Sequence, residues 1–174
     1  MESIKLKNII YLTNDEIDEL VKITSDKELM KYINIPYNKR KIMEFIKDEK
    51  DQNANRKYWT YAILLGTKII GMYIIKKREL AKLLFISTKA RKYLTTHLKN
   101  CGLYFSMVIL IAGDHQGKGI GYKVIKMGED LITKISQNSC IIAFVDKNNI
   151  PSIKLHEKLS YKVFIDKKYN IYYK

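Results

Sequence analysis

The chain has 174 residues, of which 47% are apolar and 29% charged, so it can bury one sizeable core and is not expected to be disordered. Its formal net charge of +14 excludes an acidic scaffold and would attract polyanionic ligands, although 28 Lys against 4 Arg is unlike an Arg-rich surface that reads nucleic acid. The first residues lack the pattern of a secretory signal, and the longest apolar run, Met107 to Ala112, is far shorter than the ~20 residues of a membrane helix. We therefore expect one soluble domain over residues 1–174, without a membrane segment.

The N-terminal part predicts one strand followed by three helices. Residues 4–12 are rich in β-branched side chains and predict the strand. Thr13 and Glu16 form a capping-box pattern, which predicts a first helix directly after it. A similar pattern at Ser25 predicts a short second helix, and Asn38 is a suitable cap for a third.

The middle of the chain changes to a strand pattern and then becomes ambiguous. Residues 58–65 and 68–75 predict the two strands of a hairpin joined by a Gly-Thr turn. Within residues 76–100 the pattern fits more than one structure: 83–87 could form a strand, and 90–98 a helical turn or a loop.

The C-terminal part alternates strands with helices. This order predicts an α/β (α+β) fold in which a mixed central sheet carries helices on both faces. The predicted strands are 103–112, 140–145, 161–165 and 170–173, and the predicted helices are 120–135 and 151–159.

The two cysteines favour neither a metal site nor any special chemistry. Cys101 and Cys140 have no second Cys or His at zinc-ligand spacing, so no metal is expected. Each precedes an apolar stretch, which is typical of a buried structural thiol. Thiols of this kind fit a reducing cytoplasm, where we expect the protein to be located.

Residues 116–121, Gln-Gly-Lys-Gly-Ile-Gly, lie between a predicted strand and a predicted helix. Three glycines in five residues leave backbone N–H groups uncovered, and the start of the helix adds the positive end of its dipole. Such a turn is suited to a phosphate or diphosphate, and Lys118 would reinforce it.

Two common phosphate loops do not fit this turn. Gly113 and Gly117 have three residues between them where a Walker loop has four, and Gly119 stands in place of its magnesium-binding hydroxyl. The dinucleotide fingerprint needs a third glycine where this chain has Tyr122.

The remaining pattern is Gln/Arg-x-x-Gly-x-Gly, which Gln116, Gly119 and Gly121 satisfy. Further on, residues 149–161 are similar to Asn-x-x-Ser/Ala-Ile-x-x-x-Glu-Lys-x-Gly-Phe/Tyr. In both stretches the chain resembles the GNAT family of N-acetyltransferases. The Ser-Ile pair and the Ile-Ile-Gly of residues 69–71 make it most similar to the branch that acetylates ribosomal-protein N-termini.

The resemblance implies a single-domain GNAT fold that transfers an acetyl group from acetyl-CoA to a primary amine, by direct attack and without a metal. The acceptor would be a protein N-terminus, a lysine or a small amine. The net charge argues against polycationic acceptors. By matching position, the residues expected to hold the cosubstrate are Ile109, Leu110 and Ile111 along the pantetheine, Gln116, Gly117, Lys118, Gly119, Ile120, Gly121 and Tyr122 around the diphosphate, and Asn149 and Ser152 on the cofactor arm.

The catalytic residues are less clear than the binding residues. Many members of the family have a Tyr as the acid for the leaving thiolate, and here His156 occupies that position. An imidazolium is able to protonate a thiolate, but a structural histidine fits the helix equally well. No general base is identified; Asp114, His115 and Asp146 lie nearest to the expected strand ends. Ser160 replaces the glycine that usually follows this helix.

Three questions stay open at this level. A family member that binds CoA without catalysis is one alternative, and a basic nucleic-acid-binding domain is a more remote one. Residues 78–100 exceed the usual family connection, so they could line the acceptor site, mediate dimerisation or simply pack. The protein could be a monomer or a homodimer.

Overall fold

A computed structural model describes residues 3–33, 38–50 and 57–174. Within these ranges the chain forms seven strands and six α-helices, which confirms the mixed α/β class. The strands are β1 (Ile4–Asn8), β2 (Tyr58–Leu65), β3 (Lys68–Arg78), β4 (Leu103–Ile111), β5 (Ser139–Asp146), β6 (Lys162–Ile165) and β7 (Tyr169–Tyr173). The helices are α1 (Asn14–Thr24), α2 (Lys27–Met30), α3 (Lys39–Lys50), α4 (Thr88–His97), α5 (Ile120–Ile135) and α6 (Ile150–Lys158).

Two compact units share the chain: residues 1–75 with 108–127, and residues 76–107 with 128–174. In the first unit the strand order is β1-β2-β3-β4, with β1 antiparallel to β2. Side chains of α1 and α3 pack against β2, β3 and β4 in one core. The buried members of that core include Ile17, Leu20, Ile42, Phe45, Ala62, Leu64, Met72, Ile74 and Leu110.

Close strand packing in the first unit explains one glycine. A β-carbon at Gly71 in β3 would overlap the carbonyl oxygen of Leu110 in β4. The N–H of Ala112, just beyond β4, donates to the carbonyl oxygen of Ile70 over 2.8 Å. Because only glycine permits this approach, residue 71 fixes the position of the last part of β4 against β3.

In the second unit the strand order is β4-β5-β7-β6. The sheet is mixed, since β5 is parallel to β4 and antiparallel to β7, and β6 is antiparallel to β7. The ladder between β4 and β5 runs from the pair Leu103 and Ser139 to the pair Phe105 and Ile141.

Residues 78–100 belong to the core of the second unit. Leu83 and Ile86 are buried there with Ala90 and Leu94 of α4, against Ile142 of β5. Residues 83–87 form no strand, so that option was wrong, whereas α4 confirms the helical one. A carboxylate holds the segment in place, because Asp166 accepts hydrogen bonds from the backbone N–H (3.0 Å) and hydroxyl of Ser87, the N-cap of α4. The segment therefore packs in the core of the second unit. That it also lines the acceptor site or mediates dimerisation stays a prediction.

Several element boundaries differ from the sequence-based expectations. The capping box of Thr13 and Glu16 is present at α1 as expected. The first strand ends early because the Asn8 side chain accepts from the N–H of Ile10 and turns the chain into a 3-10 segment. The cap of α2 is Asp26, and Ser25 instead ends α1.

Cys101 and Cys140 are joined in a disulfide, with their Cα atoms 5.7 Å apart, so the expectation of two separate structural thiols was wrong. The spacing of 39 residues carries no sequence signal for this pairing, which arises only when β5 is laid beside β4. Among the helices of the described residues, none has both the length and the apolar character needed to span a bilayer.

Candidate functional site

The turn between β4 and α5 is exposed and rich in glycine, and it lies in the first unit. Gly117 and Gly119 have φ values of 72° and 76°, in the left-handed region that glycine tolerates best. A β-carbon built at Gly113, Gly117 or Gly119 would meet no atom within 4 Å, so the space beside this backbone is open.

Hydrogen bonds over a few residues hold this turn from its β4 side. The Gln116 side chain donates through Nε2 to the carbonyl oxygen of Ile111 over 2.9 Å. The backbone N–H of Gln116 donates to Gly113, and that of His115 to Ala112, which closes one 3-10 turn. Gln116 thus acts here through its side chain as a brace between the turn and the end of β4.

The start of α5 follows this turn directly. The first N–H groups of any α-helix have no acceptor within the helix, and the helix dipole makes this end positive. In α5 these are the groups that begin at Ile120, directly after Gly119 and Lys118. An anion with several oxygens, such as a diphosphate, is the ligand that this arrangement suits best.

The end of β4 enters the same turn. Leu110 is buried, whereas Ile109 and Ile111 are half-buried. The three residues lie further along the strand than the ladder with β5, which ends at Phe105.

The second unit contains the other expected contact residues, at the start of α6. Asn149 is the N-cap, and its side-chain oxygen accepts from the N–H of Ser152 over 3.2 Å. Pro151 occupies the first turn, where its missing N–H is no loss. The Asp146 carboxylate accepts from the N–H of Asn148 over 2.9 Å, so it shapes this loop.

His156 is a buried member of α6, with 5% of its surface exposed. Its Nδ1 lies 2.8 Å from the carbonyl oxygen of Ser152; because a carbonyl only accepts, Nδ1 carries the proton. The ring stacks on Tyr172, with centroids 5.0 Å apart, and meets Tyr161 edge-on at 5.3 Å. Burial lowers the pKa of His156, against a smaller opposite effect of the bond to Ser152. The structure therefore favours a neutral imidazole held by aromatic packing.

The remaining titratable candidates of the loop lie in the turn itself. Asp114 is exposed, and one of its carboxylate oxygens lies 3.3 Å from Nε2 of His115. Both ring nitrogens of His115 are buried without a hydrogen-bond partner in the described part of the chain. The general base therefore stays unidentified.

Sequence reasoning missed a buried carboxylate in the first unit and an ionic cluster in the second. Glu49 of α3 is 3% exposed and accepts from the Asn8 side chain over 2.7 Å, and also from the backbone N–H of Thr60. Glu129 accepts from the hydroxyl of Tyr161 over 2.9 Å and from Lys174. No local pattern distinguishes either glutamate from the surface charges around it, because their partners come from distant parts of the chain.

The structure thus places the two groups of expected residues in different units. Ile109, Leu110, Ile111 and residues 116–122 lie in the first, whereas Asn149, Ser152 and His156 lie in the second. Among the residues that the structure describes, no three His, Cys, Asp or Glu side chains are grouped as metal ligands.

Comparisons with known proteins agree with this architecture. Residues 8–162 match the model of a family described as an acetyltransferase (GNAT) domain. No curated protein matches the sequence.

Three solved structures have a similar fold. The N-acetyltransferase PseH of Campylobacter jejuni in complex with acetyl coenzyme A has 17% identity and a TM-score of 0.61, over 99% of this chain and 98% of that chain. The spermidine N-acetyltransferase of Vibrio cholerae with CoA and spermine has 16% identity and a TM-score of 0.66, over 98% and 92%. A putative ribosomal-protein-serine acetyltransferase of Vibrio cholerae has 14% identity and a TM-score of 0.64, over 100% and 94%.

Proposed function

This chain belongs to the GNAT acetyltransferase family, and from that premise we propose that it transfers an acetyl group from acetyl-CoA to a primary amine. The observation that carries the proposal is the open turn before α5, in which Gly117 and Gly119 are in left-handed conformation and a β-carbon at either position would have open space around it. A side chain at these positions would fill the space and strain the backbone, so the turn is suited to a ligand that approaches the main chain.

Acetyl-CoA fits this turn through its diphosphate. Backbone N–H groups from Gln116 to Tyr122 would donate to the phosphate oxygens, and Lys118 would add positive charge beside them. The Gln116 side chain would act indirectly, because its bond to Ile111 holds the turn against β4. Residues 109–111 would offer backbone groups to the pantetheine amides, and Asn149 and Ser152 would contact the cofactor arm.

The proposed reaction is direct attack of a neutral amine on the thioester carbonyl. The new C–N bond forms, the C–S bond breaks, and the coenzyme leaves as a thiolate. One proton must leave the amine, and one proton must reach the sulfur. Backbone N–H groups near the thioester oxygen would stabilise the charge that develops there.

His156 is the candidate for the acid that protonates the thiolate, and its surroundings determine whether its imidazole is protonated. The imidazole would have to hold a proton on Nε2 in a place where burial lowers its pKa. The test is therefore the pH dependence of kcat: an imidazolium acid requires turnover to fall as pH rises through its pKa. If His156→Gln has no effect on kcat at any pH, His156 is not the acid and its role is structural.

The acceptor class is a protein N-terminus, a lysine or a small amine. We place the chain nearest the branch that acetylates ribosomal-protein N-termini, on the Ser152-Ile153 pair and the hairpin residues 69–71. The net charge of +14 makes a polycation such as a polyamine a poor acceptor, because two positive partners repel each other.

One assay tests the activity and the acceptor together. The protein is incubated with acetyl-CoA and a panel of N-terminal peptides, lysine peptides, small amines and polyamines, while free thiol is followed. Thiol release that depends on the acceptor supports the enzyme and identifies the class. Binding of acetyl-CoA by calorimetry without thiol release from any acceptor would instead support a CoA-binding module, and no binding would contradict both.

A further inference from the structure

The disulfide between Cys101 and Cys140 lies in the second unit, beside the ladder that joins β4 to β5. Cys101 precedes the first residue of β4 by two positions, and Cys140 in β5 is the ladder partner of Tyr104. The N–H groups of Gly102 and Leu103 both donate to the carbonyl oxygen of Asn138, over 2.8 and 3.3 Å. The bond therefore fastens the start of this ladder.

The covalent ring closed by this bond contains β4, the glycine turn and α5 and ends at the second residue of β5, because the two cysteines are 39 residues apart. All the residues proposed to hold the diphosphate lie inside that ring. A crosslink between distant residues stabilises a protein mainly by restricting the unfolded chain, and the effect grows with the length of the ring.

The two cysteines are not fully buried. Both cysteines are half-buried, unlike the fully buried side chains of the neighbouring core, such as Ala90, Leu94 and Ile142. They pack on that core from its edge. Exchange with a small disulfide needs only such partial access and a thiolate.

We propose that Cys101 and Cys140 form a reversible redox staple, which sets the stability of the segment carrying the acetyl-CoA turn according to the thiol–disulfide balance around the protein. Oxidation proceeds by exchange with a small disulfide of the glutathione class. One cysteine thiolate attacks the small disulfide and releases a small thiol, and the second cysteine then attacks the mixed disulfide and releases the other. Two electrons pass to the small disulfide, and the two protons of the cysteines end on the released thiols.

The staple acts on stability rather than on affinity. Because it restricts the unfolded chain, its loss should lower Tm by roughly 10 °C for a ring of this length in a chain of this size. The folded protein should bind acetyl-CoA with the same Kd, within about twofold, in either state. This proposal does not depend on the acetyl transfer, so failure of the enzyme assay would leave it standing.

The test uses the full chain purified without reductant and equilibrated with oxidised or reduced glutathione. Alkylation under denaturing conditions, read by intact mass, should find no free thiol in the oxidised sample and two in the reduced one. Thermal unfolding of the same samples should show the drop in Tm on reduction. The control Cys101→Ala/Cys140→Ala should unfold near the reduced wild-type Tm and should not respond to reductant.

Three results would overturn the proposal. The first is two alkylated thiols after treatment with oxidised glutathione. The second is a disulfide that forms while Tm stays the same, and the third is a bond between two chains on a non-reducing gel. If the double variant fails to fold, the difference in Tm between the reduced and the oxidised wild-type samples still tests the proposal, because the two samples have the same sequence.

Discussion

The glycine turn before α5 and the histidine of α6 differ in what forms them: the first is main chain and the second is a side chain. The turn is exposed main chain, shaped by the φ values of Gly117 and Gly119 and open to a ligand. His156 is a buried side chain, fixed by the Ser152 carbonyl and by Tyr172 and Tyr161. The first is a device for binding, whereas the second has the surroundings of a core residue.

This difference explains why the sequence predicts one region better than the other. The conformation of a main-chain turn depends mainly on the types of its residues, so three glycines in five residues predict it directly. The character of a histidine depends on its burial and partners, which come from β7 and from Tyr161 beyond the helix. The two regions should therefore respond to mutation in opposite ways: the turn through affinity, the histidine through stability.

The largest expected effect is on stability, in His156→Ala. Removing a buried ring that stacks on Tyr172 and meets Tyr161 edge-on should lower the free energy of unfolding by about 2–4 kcal/mol, as for other large-to-small core changes. Urea unfolding followed by circular dichroism measures it.

His97→Ala is the matched control for this variant. His97 also has Nδ1 2.9 Å from a carbonyl one turn earlier, that of Tyr93, and it also stacks on a tyrosine ring, but it is exposed. Its loss should change stability by less than about 1 kcal/mol. Equal losses in the two variants would show that burial is not what distinguishes His156.

The second effect is on affinity, in Gly119→Ala. A β-carbon at a φ of 76° strains the backbone by about 1–2 kcal/mol and enters the space proposed for the diphosphate, so Kd for acetyl-CoA should rise by about tenfold or more. Calorimetry measures it. Gly113→Ala is the control, because its β-carbon also meets open space but its φ lies outside the left-handed region. If the Gly119→Ala protein binds acetyl-CoA as tightly as the Gly113→Ala protein, the glycine turn is not the site that binds the diphosphate.

Local patterns predicted most of the fold. The capping box at Thr13 and the two-residue turn at Gly66 act within a few residues, so sequence alone reveals α1 and the hairpin of β2 and β3. Residues 83–87 were ambiguous because two of their side chains, Leu83 and Ile86, are buried against residues of β5 and β7, which no local pattern records. The disulfide was missed for the same reason, since its two cysteines meet only through the register of β4 and β5. A single sequence does not show which distant residues come into contact in the fold.

The third effect is a gain, at the residue that follows α6. Ser160 replaces the usual family glycine and has a φ of 58°, the one non-glycine residue with a positive φ in the described chain. Ser160→Gly should raise the free energy of unfolding by about 0.5–1 kcal/mol, because glycine adopts this conformation without a steric penalty. Ser160→Ala keeps the strained β-carbon and should give no gain. Equal stability of both variants would show that the strain at this turn is negligible.

The smallest effect is a difference in pH dependence, and it tests the protonation of His156 directly. Burial lowers the folded pKa of His156, so between that pKa and the unfolded value of 6.5 the unfolded chain binds this proton and the folded chain does not. Stability is then full above that value and falls as pH falls. As pH falls through that value, wild type should therefore lose stability more steeply than His156→Gln. The opposite order of slopes would mean that the folded protein holds the proton on His156, which would restore the imidazolium as an acid and make α6 part of the chemistry.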